Sequence, residues 1–191
     1  MAMSAIQICA RALLGIGCEP ITGFDDGTAE ADVAGMLYPG VRDALLSAYP
    51  WSFATAQRAL PEVSAVPVAD FAHAFGLPDD FLRALSVGHA GAQRGRGVTY
   101  RINERRIHTD ATAVVLTYVF RPDERTFPPF FDQALIARLA AEFCLPLTEN
   151  TARSELAGKR AEAEMRLAKS IDAQQQTPNV FDDFSLLEVR R

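Results

Sequence analysis

The spacing of apolar residues changes twice along the chain, from helical to alternating and back, and the changes divide it into elements. Ile6, Cys9 and Leu13 recur at helical spacing, with Ile8 and Ala12 widening the stripe. Ser4 stands where an N-cap belongs, and Gly15 and Gly17 stand where a left-handed residue closes a helix, so the pattern predicts a helix over 4–15. Glu19-Pro20-Ile21 reads as extended, because the residue before proline avoids the helical region. Asp25-Asp26-Gly27 reads as a turn. Thr28 caps a second predicted helix over 28–49, with Glu30 and Asp32 where the helix dipole favours negative charge. Its predicted apolar face is Val33, Leu37, Val41, Ala44, Leu45 and Ala48. Pro39 lies inside this pattern and predicts a kink or break near Leu37–Tyr38; Pro50 stops the helix.

Between 51 and 121 the period shortens to that of strands. Trp51, Phe53 and Thr55 alternate, Phe81–Val87 follows the turn Leu77-Pro78-Asp79-Asp80, and Val98–Ile102 pairs with Arg106–Thr109 as a hairpin around Asn103-Glu104. Ala113–Arg121, rich in Val, Leu, Thr and Tyr, is the strongest strand pattern. Helical spacing then returns. Pro128 opens a helix over 128–145 with Phe131, Leu135, Leu139, Ala140 and Phe143 on one face, and Pro146 is expected to end it. A further helix over 150–172 carries a narrow stripe of Leu156, Ala163, Leu167 and Ile171 among charged residues, which suits packing against other helices, including those of neighbouring subunits. The fold class predicted is α+β, a mainly α-helical bundle of about four helices with a small antiparallel β region and an extended C-terminal tail. The division is one domain over 1–177 and a tail over 178–191, whose Phe181, Phe184, Leu186 and Leu187 need another surface.

Composition narrows the function. The chain is 49% hydrophobic and 23% charged, which predicts a folded core. Its formal net charge of -5 lacks the basic excess of a nucleic-acid reader, so sequence-specific DNA recognition is not expected. No basic segment precedes an apolar one at the start, and no apolar run approaches the ~20 residues of a membrane-spanning helix, so a soluble protein made in a cytoplasm is expected, with no membrane partner. Cys9, Cys18 and Cys144 are an odd set that reads as free thiols.

The candidate chemistry is sparse. Gly15-Ile16-Gly17 follows a helix rather than a strand and reads as a helix end, not a phosphate loop. The Gly-rich stretch 91–97 carries Arg94 and Arg96; two cations read as a hairpin tip, and in an assembly as a partner contact. His73, His89 and His108 lack ligand spacing with any cysteine, so no metal is expected. His108 alternates with Arg106 onto the solvent face. Cys144 reads as a buried small hydrophobe. The adjacent acids Asp25-Asp26 and Asp79-Asp80 read as turns and caps, since acid–base pairs face each other across a cleft. Trp51 reads as a core or interface anchor. No catalytic residue and no cofactor is assigned.

One collinear set of motifs goes further. Gly15-Ile16-Gly17-Cys18-Glu19-Pro20, the acidic turn, Arg42-Asp43-Ala44-Leu45-Leu46 and Tyr49-Pro50-Trp51-Ser52-Phe53 come first. Leu77-Pro78-Asp79-Asp80-Phe81-Leu82-Arg83, Tyr100-Arg101-Ile102-Asn103-Glu104-Arg105, Tyr118 and Phe127-Pro128-Pro129-Phe130-Phe131 follow in order. In this order they resemble the tail tubular protein A family of tailed phages, the head–tail adaptor (connector) proteins, over about Ser4 to Gln176. The resemblance implies a homo-oligomeric ring, commonly dodecameric, in the virion neck between the portal and the next tail component, a nozzle or stopper. It implies a lumen through which double-stranded DNA passes without sequence-specific contact. It also implies a C-terminal extension that reaches the portal, which makes Phe181, Phe184, Leu186 and Leu187 docking candidates by position. The alternatives are a small intracellular enzyme, using a pocket around Trp51, Cys144 or His108, and a non-viral helical interaction module.

Overall fold

The computed structural model of the chain describes residues 3–64, 67, 69–89 and 97–175. It is mixed α+β, with four helices and two antiparallel sheets of three strands each. The elements run α1 (Ala5–Gly15), α2 (Ala29–Ser47), β1 (Thr55–Ala59), β2 (His73–Gly76), β3 (Phe81–Gly88), β4 (Tyr100–Asn103), β5 (Arg106–Thr109), β6 (Val115–Phe120), α3 (Pro129–Thr148) and α4 (Thr151–Ala173).

The ends of α1 form for local reasons. The Ser4 hydroxyl accepts from the Gln7 N–H while the Gln7 side chain accepts from the Ser4 N–H, a reciprocal capping box. At the other end the Cys18 N–H donates to the Leu13 carbonyl and the Gly17 N–H to that of Leu14. That is a Schellman closure, and it requires Gly17 at φ 79°.

α2 is uninterrupted: Pro39 lies within it and no break occurs at Leu37–Tyr38. Its buried residues are Ala31, Ala34, Tyr38, Leu45 and Leu46. The predicted face is therefore rotated. Val33, Leu37 and Val41 are only half-buried and Ala44 and Ala48 are exposed, because α2 closes on its neighbours through small Ala31 and Ala34. α3 passes beyond Pro146, contrary to expectation, and ends where Glu149 turns left-handed at φ 51°. A proline so near a helix end disturbs only the last turn.

Trp51 is not in a strand. Ser52–Ala54 is a single 3-10 turn, and β1 begins only at Thr55. The hairpin joining β4 and β5 turns on Glu104 and Arg105, both at positive φ, one residue later than predicted. The Arg105 guanidinium donates to the Pro78 carbonyl and the Leu77 N–H donates to the Arg105 carbonyl, so contacts from outside the hairpin hold that left-handed pair.

One sheet has the order β1-β6-β3, the other β2-β5-β4. β6 separates two cores. Leu116 and Tyr118 join a cluster with Phe75, Val87 and Ile107, while Val119 faces the helical core of Ile8, Leu13, Leu46, Trp51, Leu135 and Phe143. Complete burial of one such aliphatic or aromatic side chain stabilises by ~1.5–3 kcal/mol. At the joint, Trp51 lies with Phe53, Phe127, Phe130 and Phe131, with ring centroids 4.9–6.4 Å apart, and its indole N–H donates to the Leu45 carbonyl at 3.1 Å. Trp51 is thus a core anchor, with its polar edge satisfied.

Candidate functional site

The partner residues expected from sequence, Phe181, Phe184, Leu186, Leu187, Arg94 and Arg96, lie outside the described residues. The candidate chemical residues are scattered. Cys144 is buried on α3, and burial pushes the Cys9 thiol up to about 12. Burial also raises the Cys18 thiol. The His73 ring nitrogen lies 2.6 Å from the Glu62 carboxylate, and His108 shares with Arg106 the face of β5 opposite buried Ile107 and Thr109. Asp26 caps the Thr22–Gly23 backbone, and those N–H groups hold its carboxyl below the ordinary range. Among the described residues no three His, Cys, Asp or Glu side chains could hold a metal ion, and no helix is long and apolar enough to cross a membrane.

The motif residues instead build joints. Arg42 on α2 reaches the Glu124 carboxylate at 2.6 Å and Asp43 at 3.0 Å, and Arg121, just past β6, grips Asp43 through both its Nε and Nη2. Burial pushes the Asp43 carboxyl up, but the hydrogen bonds from Arg121 and Arg42 outweigh it and hold the group below its ordinary range. The Tyr38 hydroxyl also donates to Glu124, at 3.1 Å. A second joint was invisible in the sequence. Asp172, 1% exposed near the end of α4, accepts from the Ser52 N–H at 3.1 Å and from the Ser52 hydroxyl at 2.6 Å. Lys169, one turn earlier, stands over the Tyr49 ring. The pair fastens the last turn of α4 to the Tyr49–Phe53 segment.

How α4 packs decides what the surface offers. Its buried residues are Ala161, Ala168 and Asp172. The predicted stripe points the other way: Leu156 is 70% and Leu167 56% exposed, and Ala163 is exposed too. Small side chains let α4 lie close on α3, and its leucines are left outside.

A recess flanks α4 on each side. The larger, about 710 Å³, lies between α2, α3 and α4. Its apolar walls include Met36, Leu37, Val41 and Met165, and Met36 is 81% exposed. Its rim carries Arg138 with Glu142 and Glu162 with Arg166, each pair one helical turn apart and ion-paired. The half-buried face that the sequence assigned to the core of α2 is the wall of this recess. The smaller recess, about 300 Å³, lies between α1, α3 and the first half of α4. Its apolar lining includes Ile16, Ile136, Ala140 and Leu156, and its charged residues are Arg11, Arg153 and Arg160. These three arginines make no ion pair among the described residues.

Both recesses are suited to taking in apolar side chains beside charged ones, the chemistry of a protein contact. No family model matches the chain, and no curated protein is significantly similar to it.

Proposed function

We propose that the chain is a structural head–tail adaptor of a tailed phage. It acts without catalysis, as a ring of about twelve copies in the virion neck that joins the portal to a nozzle or stopper protein and lets double-stranded DNA pass. In this reading the four helices form the ring-building bundle and the segment after Pro178 is the extended tail that docks on the portal. The observation that carries the reading is the collinear run of motifs, from Gly15-Ile16-Gly17 to Phe127-Pro128-Pro129-Phe130-Phe131, whose conspicuous residues serve as joints between elements. Arg42 and Asp43 tie α2 to the segment after β6, Ser52 ties α4 to the turn before β1, and Trp51 is buried in the helical core, so none of them faces an open cleft. Exposed Leu167 of α4 and the larger apolar recess beside that helix supply the surface that a ring subunit needs. The acidic balance, net -5, suits a lumen along which phosphates slide, since phosphate binding depends on basic contacts.

Co-sedimentation with the cognate portal tests the reading. The full-length chain is expected to attach, and deletion of 179–191 is expected to abolish attachment while leaving the helical content unchanged. Attachment that survives the deletion removes the tail from the role, and a full-length chain that never attaches sinks the adaptor reading.

A further inference from the structure

We infer that the smaller recess is the seat of the chain's own acidic-aromatic segment, Phe181-Asp182-Asp183-Phe184. Three features of the recess select such an occupant. Its charge has one sign: Arg11, Arg153 and Arg160 line it without an acidic residue, and all three are exposed. Its lining is apolar, with Ile16, Ile136, Ala140 and Leu156, so a bare phosphate would satisfy the arginines and leave that surface wet. Its volume of about 300 Å³ is of the size of one or two aromatic side chains and too small for a helix. A segment in which two carboxylates lie between two phenylalanines answers each feature, the acids to the arginines and a ring to the lining.

Reach agrees. The described chain ends at Gln175, in the turn two residues past α4, and Arg160 lies about fifteen residues, roughly 22 Å, back. Asp182 lies about seven residues beyond Gln175, roughly 23–25 Å of extended chain. Phe184, about nine residues on, spans roughly 30 Å, enough for the 28 Å or so back to Leu156. The segment runs antiparallel to α4 on the flank away from the larger recess. Tethering gives it an effective concentration on the order of millimolar, so a weak contact is enough to fill the seat. A partner that binds the tail must first lift it out, and the three arginines are then free for another acidic surface. The contact lies within one chain, so its failure leaves the ring reading untouched, and a chain that forms no ring can still show it.

Backbone amide NMR of the full chain is the test, with Asp182→Lys/Asp183→Lys, Phe184→Ala, Arg153→Glu/Arg160→Glu and the charge swap combining both pairs of reversals. The two tail variants change no residue of the described core, so they report on docking without threatening the fold. The expected result is that resonances of Gly15–Gly17, Ile136–Cys144 and Arg153–Arg160 shift in both tail variants. They should return toward the wild-type positions in the swap, and the difference between wild type and tail variants should not depend on protein concentration. Identical recess resonances in wild type and tail variants would overturn the inference. A difference between wild type and tail variants that vanishes on dilution would overturn it too, since the occupant would then belong to a second copy.

Discussion

α3 and α4 pack on each other more extensively than any other two described elements, yet they bury opposite kinds of residue. α3 turns Phe131, Leu135, Leu139 and Phe143 into the helical core, while α4 buries only Ala161, Ala168 and Asp172. The two also treat their one buried carboxylate differently. Asp172 of α4 is fully engaged by Ser52, whereas Asp132 of α3, 4% exposed, has an Oδ1 with no hydrogen-bond partner among the described residues. Burial pushes the Asp132 carboxyl up to about 6. α3 is therefore the post around which the fold forms, and α4 is a close-fitting outer layer fastened at its end. The large apolar residues of an outer layer are available to partners.

Truncation should separate the two helices most clearly. Phe143→Ala is expected to cost about 3–5 kcal/mol in denaturant unfolding, the loss of a fully buried ring plus the cavity it leaves. A cost below about 1 kcal/mol would mean that α3 is not the core helix.

Asp132 gives the next largest effect, and it depends on pH. Its folded value of about 6 lies above the ordinary 3.8, so the fold favours the protonated carboxyl. That contribution is complete below pH 4 and is lost as pH rises through 6. At 1.36 kcal/mol per unit, the wild type should lose roughly 2–3 kcal/mol between pH 4 and pH 7 from this group. Asp132→Asn should flatten the stability profile over that window. A profile equally steep in both proteins would show that the carboxyl is not the source.

Asp172→Ala should act in the opposite sense to the Asp132 change. It removes the acceptor for both Ser52 donors and is expected to cost about 1–3 kcal/mol near neutral pH. Faster hydrogen exchange should appear in the last turns of α4 and around Ser52, with the β sheets unaffected. Leu167→Ser, on the outer face, should alter monomer stability by less than about 0.5 kcal/mol. A larger loss would place Leu167 in a contact within the chain.

The sequence made the local devices legible and the packing partners illegible. Ser4, Gly17 and Thr28 act on backbone within a turn of themselves, so their residue types announce helix ends. The strands β3 and β6 were visible for a similar reason, as runs of apolar and β-branched residues. β2, His73–Gly76, went unseen because four residues with one glycine show no clear period, and β5 pairs with it from far along the chain. The face of α4 was misread because periodicity weighs leucines, whereas close helix contact favours alanine; only the neighbouring helix decides which face packs. Pro146 signalled a stop that the last turn of α3 did not need. As for the candidate site, Trp51 and Cys144 were readable as core residues from their apolar neighbours. The bond from Asp172 to Ser52 spans 120 positions, and the two recesses exist only between helices, so no local pattern encodes them.

In the adaptor reading, the outward surface of α4 and the larger recess beside it serve assembly. Native mass of the purified chain, with electron micrographs of the same sample, tests it most directly, both alone and with the cognate portal. Closed rings with a central channel are expected, formed alone or on the portal template. A chain that stays monomeric in both conditions would contradict it.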